Sequence, residues 1–133
     1  MIKSEAGLKQ YIYDWLKRLT IGQVFLDRKP FDDTTKSRDQ RTYVIFDFPD
    51  GIIDEGPWFY GSCRVCIGCR DQERFVPKMD SLARACDKFR SAFDRNDDIE
   101  GVDCIDVEYI DDYSDDVGNH EFVYVFDVYA QKG

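Results

Sequence analysis

The feature that most constrains the fold is a two-residue alternation over residues 58–70, WFYGSCRVCIGCR. Successive side chains of an extended strand point to opposite faces of a sheet, so this period predicts a long strand with one buried face. The even positions, which include Ser62, Arg64 and Arg70, are expected to face outward. The odd positions are expected in the core: Phe59, Gly61, Cys63, Val65, Ile67 and Cys69.

The same stretch spells Cys-x-x-Cys-x-x-Cys, at Cys63, Cys66 and Cys69. On a loop, three thiolates at this spacing could hold zinc or an iron–sulfur cluster. In a strand, Cys63 and Cys69 share one face about 20 Å apart, and Cys66 faces the other way. The strand interpretation therefore predicts that these cysteines are packing residues, with no metal or other cofactor. The odd total of five cysteines also argues against a disulfide framework.

Hydrophobic periodicity predicts the remaining elements. Two amphipathic helices are expected at residues 4–20 and 77–93, and three further strands at 42–48, 101–110 and 121–130. Residues 28–41 are polar, contain a proline and are expected to be a mobile loop. The predicted order is α-β-β-α-β-β. The predicted fold is a single α+β domain over residues 1–133, with a mainly antiparallel four-stranded sheet covered on one face by two helices.

Length and charge exclude several classes of protein. The 133 residues suit one domain, and no stretch approaches the roughly 20 apolar residues of a membrane span. The first residues, MIKSEAGLKQ, lack the apolar core of a secretory signal, so synthesis in the cytoplasm is expected. With 18 Lys and Arg against 27 Asp and Glu, the net charge is −9. This balance argues against a nucleic-acid backbone as a main partner.

The charge is unevenly distributed along the chain. Residues 1–41 and residues 62–95 each carry a local excess of basic residues, whereas residues 96–131 contain Asp and Glu but no Lys or Arg. One interpretation is a solvated, solubilising face. The other is an acidic surface that meets a basic surface on a partner or on another copy of the chain.

No active-site motif emerges from the sequence. His120 is the only histidine, and without a nucleophile signature beside it we interpret it as a turn or surface residue. Asp47 and Asp127 lie inside predicted strands, where an edge position or an arginine partner is needed. Four carboxylates are expected in a solvated hairpin tip that does not match the EF-hand pattern: Asp111, Asp112, Asp115 and Asp116.

The order of elements resembles that of phage tail terminator and minor tail proteins, which close a tail tube at the head–tail junction. The resemblance rests on three parts of the chain: Tyr43-Val-Ile-Phe leading to Phe48-Pro-Asp-Gly-Ile52, the strand ending at Arg70-Asp71 followed by Pro77 and the helix Leu82–Phe93, and the closing strand Phe122–Ala130. It implies a non-enzymatic ring, commonly of six subunits. It also implies binding to the tail tube and to the head-completion protein, and a place in the virion if the chain is phage-derived.

We expect the ring contacts to involve eight charged residues: Asp111, Asp112, Asp115 and Asp116 on the acidic side, and Arg64, Arg70, Arg84 and Lys88 on the basic side. Two other classes remain open. One is an acidic adaptor or inhibitor domain that binds a basic protein partner. The other is an enzyme that uses Cys66 or His120.

Overall fold

The computed structural model describes residues 2–27, 41–73, 76–94, 101–115 and 118–133. The described residues form two helices and six strands: α1 (Glu5–Arg18), β1 (Gln23–Leu26), β2 (Tyr43–Asp47), β3 (Ile53–Glu55), β4 (Trp58–Arg70), α2 (Met79–Asp94), β5 (Val102–Ser114) and β6 (Asn119–Gln131). Neither helix in these ranges has the length and apolar character needed to cross a bilayer. The mobile loop predicted at 28–41 falls almost wholly outside the described residues.

The strands form one sheet in the order β1-β2-β4-β6-β5, with β3 paired to the start of β4. β1 and β2 are parallel, and the other pairs are antiparallel. The predicted α+β class and mainly antiparallel pairing are confirmed. The predicted order and the count of four strands are wrong, because β1 and β3 were not recognised as strands.

Both missed strands are too short to show a period. β1 has four residues, and its pairing depends on β2, which follows much later in the chain. β3 has three exposed residues and folds back onto Trp58–Tyr60 after a turn in which Gly56 has a φ of 57°. Glycine adopts this left-handed conformation without a Cβ clash, so the turn can be tight.

The two helices pack on the same face of the sheet. Ser4 caps α1 as an acceptor for the Gly7 amide at 3.0 Å, and Trp15 lies on the buried stripe of that helix. The buried stripe of α2 includes Phe89. The ring centroids of Trp15 and Phe89 lie 5.7 and 6.1 Å from that of Phe126 in β6, so one aromatic cluster joins both helices to the sheet.

The alternation predicted for β4 is confirmed. Its odd positions are buried from Phe59 to Cys69, and Cys66 lies half-buried on the opposite, open face. Burial raises the pKa of the Cys63 and Cys69 thiols, which keeps them protonated at neutral pH. These two thiols therefore behave as small apolar side chains.

The β5–β6 hairpin is longer than predicted, with 13 residues in each strand. β5 pairs with β6 across two register shifts, one between Ile105 and Glu108 and one between Tyr109 and Asp111. Strand pairing thus continues to Ser114, where the sequence predicted a turn from Asp111 onward. The expectation that four aspartates share one hairpin tip is wrong for Asp111 and Asp112, which lie within β5, and Asp116 lies outside the described residues.

Candidate functional site

A cationic cleft lies between the end of α1, the first residues of β1 and β2, and one side of α2. Its volume is about 690 Å³. The described residues that line it include hydroxyl groups from Thr20, Thr42 and Ser81 but no Asp or Glu. They also include five basic side chains: Lys17, Arg41, Lys78, Arg84 and Lys88. On a chain of net charge −9, the cleft thus brings five basic side chains to one opening.

The helical repeat places two of these cations on one side of α2. Arg84 and Lys88 are four residues apart, a spacing that returns to the same side of a helix, and Lys78 lies just before the helix begins. These two residues flank the buried stripe of α2, so their side chains line the cleft while the helix stays packed on the sheet. Arg84 approaches Asp80 at 4.0 Å, but both side chains are about three-quarters exposed, and such a contact neutralises little charge.

The floor of the cleft is the close approach of β1 to the segment before β2. The Thr42 hydroxyl donates to the Ile21 carbonyl at 2.5 Å, and the Gln23 amide donates to the Thr42 carbonyl at 3.3 Å. A Cβ at Gly22 would lie 2.5 Å from the Thr42 carbonyl oxygen, so this approach requires glycine. The floor is therefore fixed by backbone contacts, and it holds the basic residues of three segments around one opening.

An acidic strand edge forms the opposite border of the sheet. Within the described residues, β5 is an edge strand: it pairs with β6 on one side and with no strand on the other. Residues 101–115 contain no Lys or Arg. We define this acidic edge by five carboxylates: Asp103, Asp106, Glu108, Asp111 and Asp112. Asp106 has a φ of 57° at the first register shift, a bulge of the kind that keeps free edges from pairing indiscriminately.

A hydrogen-bonded cluster fixes the far part of this edge. Asp112 accepts from the Tyr109 hydroxyl at 2.6 Å and lies 2.7 Å from His120 Nε2, while Ser114 Oγ lies 2.9 Å from His120 Nδ1. The hydrogen bond from Tyr109, followed by that from His120, lowers the pKa of Asp112. The same contact with Asp112 raises the pKa of Tyr109 to about 12. Asp112 therefore stays ionised at neutral pH.

His120 does not occupy the surface or turn position expected from the sequence. It lies in β6 opposite Ser114, and its side chain is only 13% exposed. Ser114, His120 and Asp112 together bring a hydroxyl, an imidazole and a carboxylate into hydrogen-bond distance. In this arrangement they cross-link the two strands next to the bulges, which holds the acidic edge in register.

The remaining predicted site residues are not brought together. Arg64 forms a two-pronged contact with Asp47 at 3.0 and 2.6 Å on the open face, and this hydrogen bonding raises the pKa of Arg64. This satisfies the expectation of an arginine partner for Asp47. Arg70 ends β4, and Asp115 accepts from the amide and the side chain of Asn119 at the hairpin turn. Arg84 and Lys88 alone among the predicted basic residues line the cleft.

Sequence reasoning missed Lys17, Arg41 and Lys78 as site residues. Each is isolated in the sequence, and no motif connects them. The available signal was the basic excess of residues 1–41 and 62–95, because the cleft draws its cations from these two segments. The described residues contain no group of three or more His, Cys, Asp or Glu side chains placed to hold a metal ion.

No protein-family model matches this chain, and a search of curated proteins finds no match.

Proposed function

We propose that this chain is a non-enzymatic assembly protein of the tail-terminator or minor-tail kind, which forms a ring with its own copies at a phage head–tail junction. The observation that carries the proposal is the opposite charge of the two borders of the sheet. The acidic edge lies on β5, and the cationic cleft lies beside β1 and β2. The tail tube and the head-completion protein would bind the two faces of such a ring.

The distance between these surfaces supports assembly between molecules. β1 and β5 are separated by four strand spacings, or roughly 19 Å. This is more than twice the screening length of about 8 Å at physiological salt, so the basic residues at the β1 end of the cleft hardly neutralise the acidic edge of the same molecule. In such an assembly, the acidic edge of one copy contacts the cleft of the next, so each contact joins two different surfaces and is heterologous. Repeated contacts of this kind close into a ring when the rotation from one copy to the next divides a full turn evenly.

The test is the mass of the protein in solution as a function of salt. Light scattering at micromolar protein is expected to give a multiple of the 15.6 kDa monomer at about 0.05 M salt, and the monomer at about 1 M salt. Screening weakens contacts between exposed charges, which explains the direction of the change. A monomer at every salt concentration would contradict the ring.

A second candidate is an acidic adaptor or inhibitor domain that binds a basic protein partner. The observation in its favour is that the acidic edge ends the sheet, where a partner strand can reach it. An adaptor is expected to remain monomeric at low salt and to bind a polylysine probe. Glu108→Gln/Asp111→Asn should weaken that binding, whereas a ring protein would show weakened self-association in the same variant.

A further inference from the structure

We infer that the cationic cleft is the receptor for the acidic edge of a neighbouring copy of this chain. The inference rests on the proposed function and names the two surfaces that would form its ring contact. The occupant is a row of carboxylates on an extended strand, held by basic side chains of α1, α2 and the segment before β2.

The two surfaces match in spacing. Arg84 and Lys88 are four residues apart on one side of α2, a distance of about 6 Å at about 1.5 Å per residue. Glu108 and Asp111 pair with Val125 and Val123, which lie on the same face of β6 two residues apart, a distance of roughly 7 Å at about 3.3 Å per residue. The two carboxylates of the strand are therefore spaced like the two cations of the helix.

The two surfaces also match in charge and accessibility. The cleft is lined by five cations and, among its described residues, by no carboxylate. Glu108 and Asp111 are exposed, and no Lys or Arg occurs near them in the strand. Charge complementarity of this kind steers two copies into one orientation and disfavours contacts between like surfaces.

Close contacts fix both surfaces in the free molecule. The floor of the cleft is held by the contacts of Thr42 with Ile21 and Gly22. The Asp112–His120 hydrogen bond fixes the backbone of the acidic edge from the other side of the hairpin. Both partners are therefore ordered before they meet, which lowers the entropic cost of association.

Paired charge reversal tests the inference. Arg84→Glu/Lys88→Glu reverses two cations of the cleft, and Glu108→Lys/Asp111→Lys reverses two carboxylates of the acidic edge. Each double variant is expected to weaken self-association, measured by sedimentation at low salt, by at least about tenfold. The quadruple variant carries the complementary swap within one chain and is expected to regain assembly. A mixture of the two double variants should also assemble, because each supplies the surface that the other has reversed.

Lys3→Glu/Lys9→Glu is the matched control, since it changes the net charge as much as the cleft variant does. Lys3 lies just before α1 and Lys9 in its first half, and neither lines the cleft. Circular dichroism and thermal melting establish that each variant is folded. The control is expected to assemble as the wild type does.

The outcomes separate this inference from the proposed function. If the wild type assembles and the folded cleft variant assembles equally well, the inference is overturned and the ring proposal stands. The inference is also overturned, and the ring proposal stands, if the quadruple variant is folded but does not assemble. If the cleft variant loses binding of inorganic tripolyphosphate while assembly is unchanged, the cleft is a small-anion site and the inference is overturned. A wild type that never assembles overturns both proposals.

Discussion

The phenol of Tyr43 crosses Gly68 and donates a 2.6 Å hydrogen bond to the Glu121 carboxylate. The three residues form one row across β2, β4 and β6, in which Tyr43 pairs with Gly68 and Gly68 with Glu121. Tyr43 and Glu121 are 2% and 7% exposed. A buried carboxylate on the open face of the sheet is thus stabilised by a side chain two strands away, and the missing Cβ of Gly68 makes room for that side chain.

Tyr43→Phe removes this hydroxyl and is expected to lower the free energy of unfolding at pH 7 by about 1–3 kcal/mol, because a buried carboxylate loses a donor. Burial, followed by the charge of Glu121, raises the pKa of Tyr43 far above its ordinary value of 10.0. Above pH 10 the unfolded chain releases this proton while the folded chain keeps it, so folding stability falls as the pH rises. In Tyr43→Phe, the free energy of unfolding measured with urea should therefore decrease less steeply between about pH 10 and 12 than in the wild type.

Tyr60→Phe is the control for that measurement. Tyr60 lies on the open face and stacks on Tyr129 at 5.9 Å, so this change removes a phenol while leaving the Tyr43–Glu121 hydrogen bond in place. In Tyr60→Phe, the free energy of unfolding is expected to decrease with rising pH as steeply as in the wild type. If it decreases equally steeply in Tyr43→Phe and the wild type, Tyr43 is not the cause of the decrease.

Gly68→Ala is expected to destabilise the protein by about 1–3 kcal/mol, because the added Cβ would overlap the Tyr43 ring. The cost should depend on that ring. In a Tyr43→Leu background the same substitution is expected to cost less, and a double-mutant cycle from chemical denaturation measures the difference. Additive effects of the two changes would show that the ring and Gly68 are not coupled.

The sequence predicted those parts of the fold in which a period is long enough to read. The two-residue period of β4 runs over 13 residues and correctly assigned Cys63 to the core and Cys66 to the open face. β1 and β3, with four and three residues, offer no period, and their pairing depends on partners elsewhere in the chain. β5 extends past the predicted end because two register shifts interrupt its alternation without ending its pairing.

The candidate site was less predictable than the fold, for a physical reason. Arg84 and Lys88 lie one helical turn apart, so their shared face can be deduced from spacing. Lys17 and Arg41 join them only because α1 and the start of β2 pack beside α2, which is a tertiary relationship. The sequence showed that residues 1–41 and 62–95 carry an excess of basic residues, but only the folded chain brings cations of both segments to one cleft.

Thr20 is expected to be a site where glycine stabilises the protein. It follows α1 with a φ of 54°, in the left-handed region that β-branched residues rarely adopt. Thr20→Gly removes the Cβ from this strained position and should raise the free energy of unfolding by about 1 kcal/mol. Thr20→Ala keeps the Cβ and serves as the control. A gain in thermal stability for alanine equal to that for glycine would exclude relief of backbone strain as the cause.

The cysteines are expected to differ in reactivity according to the face of β4 on which they lie. Cys66 lines a hollow of about 390 Å³ on the open face, whereas Cys63 and Cys69 are fully buried. Burial also raises the pKa of Cys104, to about 12, which leaves little thiolate there to react. In the native protein at pH 8, alkylation of Cys66 by iodoacetamide should be at least about tenfold faster than that of Cys63, as measured by peptide mass spectrometry. The fast reaction should disappear in Cys66→Ser, and equal rates at Cys63 and Cys66 would show that β4 does not hold its thiols on opposite faces.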